Sequence, residues 1–68
     1  MQNWSLSLSR HVDTPQNVSD FLTEYKALCQ KYNLSLGHED THGAFIIDVY
    51  NEYDIDWVRQ ASLAEGVD

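Results

Sequence analysis

The segment LSLGHEDTHGAFIIDVY, residues 34–50, contains the features that decide the fold. Leucine alternates with small residues over residues 34–37, a polar loop that ends at Gly43 follows, and residues 44–50 are the most apolar run of the chain. Two short apolar segments that flank a polar, glycine-containing loop are typical of a β-hairpin. We therefore predict two antiparallel strands and place the apolar second strand at the centre of the sheet.

Upstream, the chain predicts one more strand and a helix. Over residues 4–9, apolar residues alternate with serine, which is the period of a half-buried strand. Thr14 is a suitable N-cap and Pro15 a suitable first helical residue. Apolar residues then recur at helical spacing, and Asn33 can adopt the left-handed conformation that ends a helix. These features predict a helix over residues 15–32.

Downstream of the hairpin, the sequence predicts a second helix. Either Asp54 or Asn51 can cap its start, and Gly66 supplies a stop signal beyond its end. We expect the helix to run to about Ala64. Ile55 is among the residues that would form its buried side.

Together these elements predict a single α+β domain over residues 1–68, with the order β-α-β-β-α. The three-stranded antiparallel sheet would have the order 1-3-2, and both helices would cover one of its faces. Phe45, Ile47 and Val49 would point toward the helices, together with the leucines of the other strands. The opposite face would be open, either solvated or covered by a second copy in a homodimer. That open face would display Ser5, Ser7, Ser9, Ser35, Gly37, Ala44, Ile46, Asp48 and Tyr50.

The net charge of −7 is concentrated in the second half of the chain. Residues 1–37 are neutral, because three acidic side chains balance three basic ones, whereas residues 38–68 contain eight acidic side chains and one arginine. This distribution disfavours direct binding to nucleic acid or to anionic membranes. No apolar run is long enough to span a bilayer, and the single cysteine precludes an internal disulfide, so we expect a soluble protein in the cytoplasm.

The acidic half suggests a non-enzymatic protein-binding module. Aromatic side chains give contact area, and carboxylates would meet a basic surface on an unidentified partner protein. The predicted contact residues are Tyr50, Glu52, Tyr53, Asp54 and Asp56. An alternative with the same motivation is an acidic mimic of nucleic acid.

Residues 38–42 offer a metal-binding alternative. His38, Glu39 and His42 match the H-E-x-x-H signature of zinc proteases, but glycine on both sides argues against the helix that this signature requires. In a turning segment, His38, Asp40 and His42 could still converge on a divalent metal such as zinc, nickel or cobalt, with His11 as a fourth ligand. The competing interpretation is an ordinary exposed polar turn that holds no cofactor.

Cys29 is the remaining candidate for chemistry. It lies on the apolar stripe of the first predicted helix, and a buried thiol without a neighbouring cation is unreactive. We therefore expect Cys29 to be a core residue and the protein not to be an enzyme.

The stretch from Phe21 to Ala61 resembles a family of small uncharacterised proteins encoded by phages and prophages of Gram-positive bacteria. The resemblance is carried above all by ALCQKYNLSLGHEDTHGAFII, residues 27–47. Its recognisable parts are Leu-x-x-Lys-Tyr-x-Leu-Ser-Leu and His-Glu-Asp-x-His-Gly-Ala-Phe. The resemblance implies a phage accessory protein in the host cytoplasm, whose partner would be an unidentified host or phage protein. It assigns no catalytic residue.

Overall fold

The computed structural model describes residues 1–40 and 43–68, which form two hairpins and two helices. The first hairpin and the second hairpin are separate two-stranded antiparallel sheets. The α+β class and the hairpin within residues 34–50 are confirmed. The elements, in chain order, are β1 (Gln2–Ser5), β2 (Arg10–Asp13), α1 (Gln16–Tyr32), β3 (Leu34–Glu39), β4 (Ala44–Val49) and α2 (Glu52–Arg59).

The predicted order β-α-β-β-α and the three-stranded sheet of order 1-3-2 are wrong. The segment predicted as one strand over residues 4–9 instead turns back on itself after Ser5. The backbone N–H of Ser9 donates to the Ser5 carbonyl at 2.9 Å, and the N–H of Leu8 donates to Ser5 Oγ at 3.1 Å. Because this turn creates β2 as a local partner, β1 pairs with β2 and not with β4.

The other edge of β1 is occupied by the segment that follows α2. Leu63 forms a parallel bridge with Ser5: its N–H donates to the Trp4 carbonyl at 2.8 Å, and its carbonyl accepts from the Leu6 N–H at 3.0 Å. Buried Asn3 donates from Nδ2 to the carbonyl of Arg59 at 2.8 Å. These contacts draw the chain toward β1, and α2 ends at Arg59, five residues before the predicted end.

Helix α1 agrees closely with its prediction. It begins at Gln16, and Asn33 ends it in the left-handed conformation, with φ of 55°. Its N-terminus differs in detail, since Pro15 occupies the cap position and the Thr14 hydroxyl donates to Asn3 instead of capping the helix. Leu22 and Cys29 are buried, as the apolar stripe predicted.

The second hairpin presents the opposite face to α2 from the one predicted. Ser35 and Gly37, which were expected on the open face, are buried, whereas Phe45, Ile47 and Val49 are exposed. Helix α2 packs on the small face because its residue Asp54 accepts a hydrogen bond from Ser35 Oγ at 2.8 Å. Asn51, one of the two predicted caps, accepts the Asp54 N–H at 2.9 Å. Ile55 beside it is only 1% exposed.

Candidate protein-binding surface

An uninterrupted apolar surface covers the outer side of the second hairpin. Leu34 pairs with Val49 and Leu36 pairs with Ile47, and Phe45 follows on the same side because alternate strand residues share a face. We call Leu34, Leu36, Phe45, Ile47 and Val49 the apolar face. Phe45 is 72% exposed and Ile47 is 73% exposed. Five of the six residues of the most apolar strand are thus exposed to solvent.

The opposite side of the hairpin explains this orientation. A Cβ on Gly37 would lie 2.8 Å from Asp48 Oδ2, 3.2 Å from Ile46 Cγ1 and 3.3 Å from Asp54 Oδ1, so the site admits only glycine without rearrangement. Small residues let α2 approach the sheet closely, and the hydrogen bond between Ser35 and Asp54 then holds it there. The chain therefore uses its small side for internal packing and leaves its large side free.

Helix α1 extends the apolar face with a groove. The groove has a volume of about 310 Å³ and runs between Leu28 and Tyr32 on α1 and Leu34 and Ile47 on the hairpin. The Leu28 and Tyr32 side chains are themselves exposed. Aliphatic and aromatic side chains dominate its walls, so the groove suits an apolar side chain from outside the molecule.

Tyr25 fixes the wall of this groove. Its hydroxyl accepts the backbone N–H of Leu36 at 3.4 Å, which ties the outer edge of β3 to α1. Burial raises the pKa of Tyr25, and a hydrogen bond with Cys29 adds to the increase. The tyrosine is therefore neutral and keeps this contact at physiological pH.

A second groove of about 450 Å³ lies at the other end of the apolar face. It is lined by Leu36, His38, Phe45 and Trp57, among others, and the ring centroids of His38 and Trp57 are 5.3 Å apart. Polar groups form a larger part of its walls than of the α1 groove. The apolar face thus ends in a more polar rim near the turn of the hairpin.

The total surface of the molecule is large for its mass. A folded monomer of 7.8 kDa is expected to expose about 4,400 Å². This chain exposes 5067 Å², which is roughly 700 Å² more than that expectation. Its radius of gyration of 12.9 Å exceeds the value of about 11 Å expected for a compact chain of this length, and its smallest dimension is 17 Å. The molecule is therefore less compact, and exposes more surface, than a typical folded monomer of its length.

The predicted acidic contact residues are largely engaged within the chain. Tyr50 donates its hydroxyl to Glu52 Oε1 at 2.6 Å, and Lys26 Nζ lies 3.5 Å from Glu52 Oε2. The hydrogen bond between them raises the pKa of Tyr50 and lowers the pKa of Glu52. Glu52 is thus ionised, and Lys26 of the same molecule offsets part of its negative charge.

The other three predicted contact residues differ from one another. Asp54 is buried at 5% exposure and is bound by Ser35, so it does not reach the surface. Asp56 is exposed and forms an ion pair of 3.5 Å with Arg59. Tyr53 is 75% exposed, with its ring edge-on to Trp57. The structure therefore does not unite these residues in a bare acidic patch.

Asp48 and Asp54 form a carboxyl pair beneath the hairpin that the sequence did not reveal. Desolvation raises the pKa of Asp48, and the charge of Asp54 and a hydrogen bond with it add to the increase. Asn51 Nδ2 donates to Asp54 Oδ2 at 2.9 Å, and Ser35 donates to the same oxygen. Since each donor also holds α2 in place, the pair serves the packing of that helix.

The structure brings together two of the predicted metal ligands. His38 Nδ1 lies 2.7 Å from Asp40 Oδ1 at the turn of the hairpin. His42 lies outside the described residues, and His11 packs against Trp4 in the first hairpin, with ring centroids 5.2 Å apart. Within residues 1–40 and 43–68, no three candidate ligands form a group able to hold a metal ion. His38 belongs to strand β3, so it does not lie on a helix as the protease signature requires.

Comparison of the chain with protein-family models, curated proteins and solved structures found no match. The resemblance to phage-encoded proteins therefore stays a prediction. Among the described residues, neither helix combines the length and apolar character needed to cross a membrane.

Proposed function

We propose that the chain is a non-enzymatic protein-binding module that docks a partner on the apolar face. The observation that carries this proposal is the exposure of three large apolar side chains on one strand: Phe45, Ile47 and Val49 are each at least 69% exposed. Contiguous exposed apolar patches on small proteins mark interaction surfaces. Covering these side chains would remove apolar area from water, which is the main favourable term in association.

The face has the anatomy of a protein interface. Among the described residues, the apolar face itself includes no charged side chain, and two charged groups lie toward its ends: Lys31 beside Tyr32 and Asp40 beside His38. An apolar centre and a polar rim are typical of specific protein interfaces. A basic group on the partner would therefore contribute at the rim, while the apolar centre supplies most of the affinity.

If the chain is phage-encoded, as its resemblance implies, the partner and the compartment follow. In that setting the partner is a protein of the phage or of its host, and the complex forms in the host cytoplasm. A reducing compartment suits the buried free thiol of Cys29.

Site-specific photocrosslinking in the native host cell tests the proposal. A photoreactive phenylalanine analogue is placed at Phe45 in one variant and, as a matched control, at Tyr53 in another, because both positions are highly exposed. Mass spectrometry then identifies the adducts. We expect the analogue at position 45 to form a protein adduct, and this adduct to disappear when Ile47→Asp is added. The analogue at position 53 should not form that adduct.

Two results would overturn the proposal. One is the absence of any protein adduct from Phe45. The other is the same set of adducts from Phe45 and Tyr53, because the crosslinks would then report general exposure and not docking on the apolar face.

A further inference from the structure

We infer that the protein covering the apolar face is a second copy of this chain, packed end over end about a two-fold axis. The inference rests on the proposed function and names the partner. Three observations carry it: the area left exposed, the position of Phe45 relative to the α1 groove, and the charges at the two ends of the face.

The exposed area matches what a dimer needs. Stable interfaces bury about 800 Å² on each partner. The molecule exposes 5067 Å², roughly 700 Å² more than a compact monomer of its mass, so an interface of that size would bring the exposed area of each copy close to that of a compact monomer. A second copy with the same apolar face supplies such an interface, and both copies gain equally.

The shape of the face is self-complementary. Phe45 projects near the turn of the hairpin, whereas the α1 groove lies toward the opposite end, beside Leu34 and Tyr32. Helix α1 lies along the outer edge of β3, so the groove is on the opposite side of the face from β4. A two-fold axis in the plane of the face and oblique to the strands places the turn of one hairpin toward the open end of the other, and β4 of one copy toward the α1 side of the other. Phe45 of each copy then lies over the groove of the other copy, so one operation fills both grooves.

The charges favour the same orientation. Asp40 is at the turn of the hairpin with its side chain 91% exposed, and Lys31 is in the last turn of α1, at the other end of the face. End-over-end packing brings Asp40 of one copy toward Lys31 of the other, twice in each dimer. A two-fold axis along the strands would instead bring like charges together, which is unfavourable in a chain of net charge −7.

Sedimentation of the purified chain, from micromolar to millimolar concentration, tests whether the dimer exists. We expect the mass to rise from 7.8 kDa toward twice that value as concentration increases. Ile47→Asp should weaken the dimer at least about 100-fold, because it puts two desolvated charges in the centre of the interface. Leu8→Asp is the matched control, since Leu8 is an exposed leucine in the turn of the first hairpin and should leave the dimer unchanged.

A measurement on the unmodified sequence makes the test independent of any variant. In a sample mixed from labelled and unlabelled chains, isotope-filtered NMR should show intermolecular contacts from Phe45 to Leu28 and Tyr32. A monomer at every concentration, or a dimer whose intermolecular contacts avoid the apolar face, overturns the inference.

Charge exchange tests the end-over-end orientation. Asp40→Lys and Lys31→Asp should each weaken the dimer about tenfold, because each creates two like-charge contacts. The double variant should recover most of the original affinity. Failure of the double variant to recover any affinity would overturn this orientation.

The inference and the proposed function fail in different ways. If the purified chain is a monomer while Phe45 crosslinks a different protein in cells, the second copy is wrong and the binding function stands. If the chain is monomeric and Phe45 crosslinks nothing, both are wrong.

Discussion

The two hairpins of this protein are both two-stranded and antiparallel, but they differ in how much of each is covered by the rest of the chain. The first, β1–β2, is completed within the chain: Leu63 bridges its outer edge, and the buried side chains of Asn3 and Ser5 are hydrogen-bonded. The second, β3–β4, packs its small side against α2 and leaves the apolar face uncovered.

The difference shows that a short chain can satisfy the hydrogen bonds of a hairpin more readily than it can cover an apolar face. Hydrogen bonds are local and directional, so a few well-placed groups can complete the first hairpin. Covering an apolar face requires area, and a domain of about 60 residues buries only about 60% of its unfolded surface. The free edge of β1 in the first hairpin is therefore bonded by the chain, whereas no element among the described residues covers the apolar face of the second hairpin.

The largest effect is expected from Asn3→Ala in the first hairpin. Buried Asn3 donates from Nδ2 to the carbonyls of Arg59 and Ala61, so its truncation would break both hydrogen bonds and leave a space at a buried position. We expect the free energy of unfolding to fall by about 2–4 kcal/mol, as measured by urea denaturation. Ile47→Ala on the second hairpin is the contrasting control, and in dilute protein it should change stability by less than about 0.5 kcal/mol. A larger effect from Ile47 than from Asn3 in dilute protein would reverse the comparison.

A smaller loss is expected from Gly37→Ala on the packed side of the second hairpin. The new methyl group would meet Asp48 Oδ2 at 2.8 Å and would press on the contact with α2. We expect a loss of about 1–3 kcal/mol, measured as a lower thermal midpoint. Asp48→Ser should stabilise the Gly37→Ala variant more than it stabilises the unmodified chain, since only in the variant does it also remove the atom nearest to the new methyl group. An unchanged midpoint in the single variant would show that the small side is not closely packed.

Substitutions in the turns of the two hairpins should change the free energy of unfolding by about 1 kcal/mol, in opposite directions. Gly43 has φ of +62° and Ser9 has φ of 52°, a conformation that favours glycine. Gly43→Ala should therefore destabilise the second hairpin, and Ser9→Gly should stabilise the first. Thermal denaturation of both variants checks the signs, with Ser9→Ala as a control that keeps the strain. Changes of the same sign would contradict this account of the turns.

The smallest effect is a change in pH dependence from Asp48→Asn. The raised pKa of Asp48 means that the folded state binds this proton more tightly than the unfolded state, whose reference pKa is 3.8. Its contribution to stability therefore falls as pH rises from 3.8 through the higher folded pKa. Asp48→Asn should remove this fall and leave the protein more stable at neutral pH, as measured by urea denaturation across a pH series.

Glu52→Gln is the matched control of opposite sign. The lowered pKa of Glu52 contributes stability that is present above its ordinary value of 4.5 and is lost as pH falls through the lower folded pKa. Its replacement should lower stability at neutral pH. Parallel changes in the two variants would contradict the assigned causes.

Local patterns predicted the elements that depend on near neighbours. Helix α1 has a long apolar stripe and a residue at its end, Asn33, that tolerates the left-handed conformation, and the second hairpin has its glycine-containing loop. The prediction of residues 4–9 as one strand was wrong because alternation of leucine and serine does not reveal that Ser5 accepts two N–H groups in a turn. The end of α2 was misplaced because Asn3, distant in sequence, binds the chain beyond it.

The exposure of the apolar face was not predicted, for a related reason. Its residues were identified as apolar and as sharing one side of the hairpin, but they were assigned to the core. The alternation of side chains along a strand establishes which residues share a face and does not establish which face the helices cover. A glycine and a serine on one side were the available signal, since small residues permit close approach of a helix.

Local sequence patterns were sufficient to predict the α+β class, helix α1, the second hairpin and the two sets of side chains on its faces. These follow from periodicity and from residues whose conformational preferences act over a few positions. Tertiary contacts set three further features: β1 pairs with β2, α2 lies on the side of Ser35 and Gly37, and the apolar face remains exposed. Those choices depend on hydrogen bonds and close contacts between residues far apart in the chain, which no local pattern records.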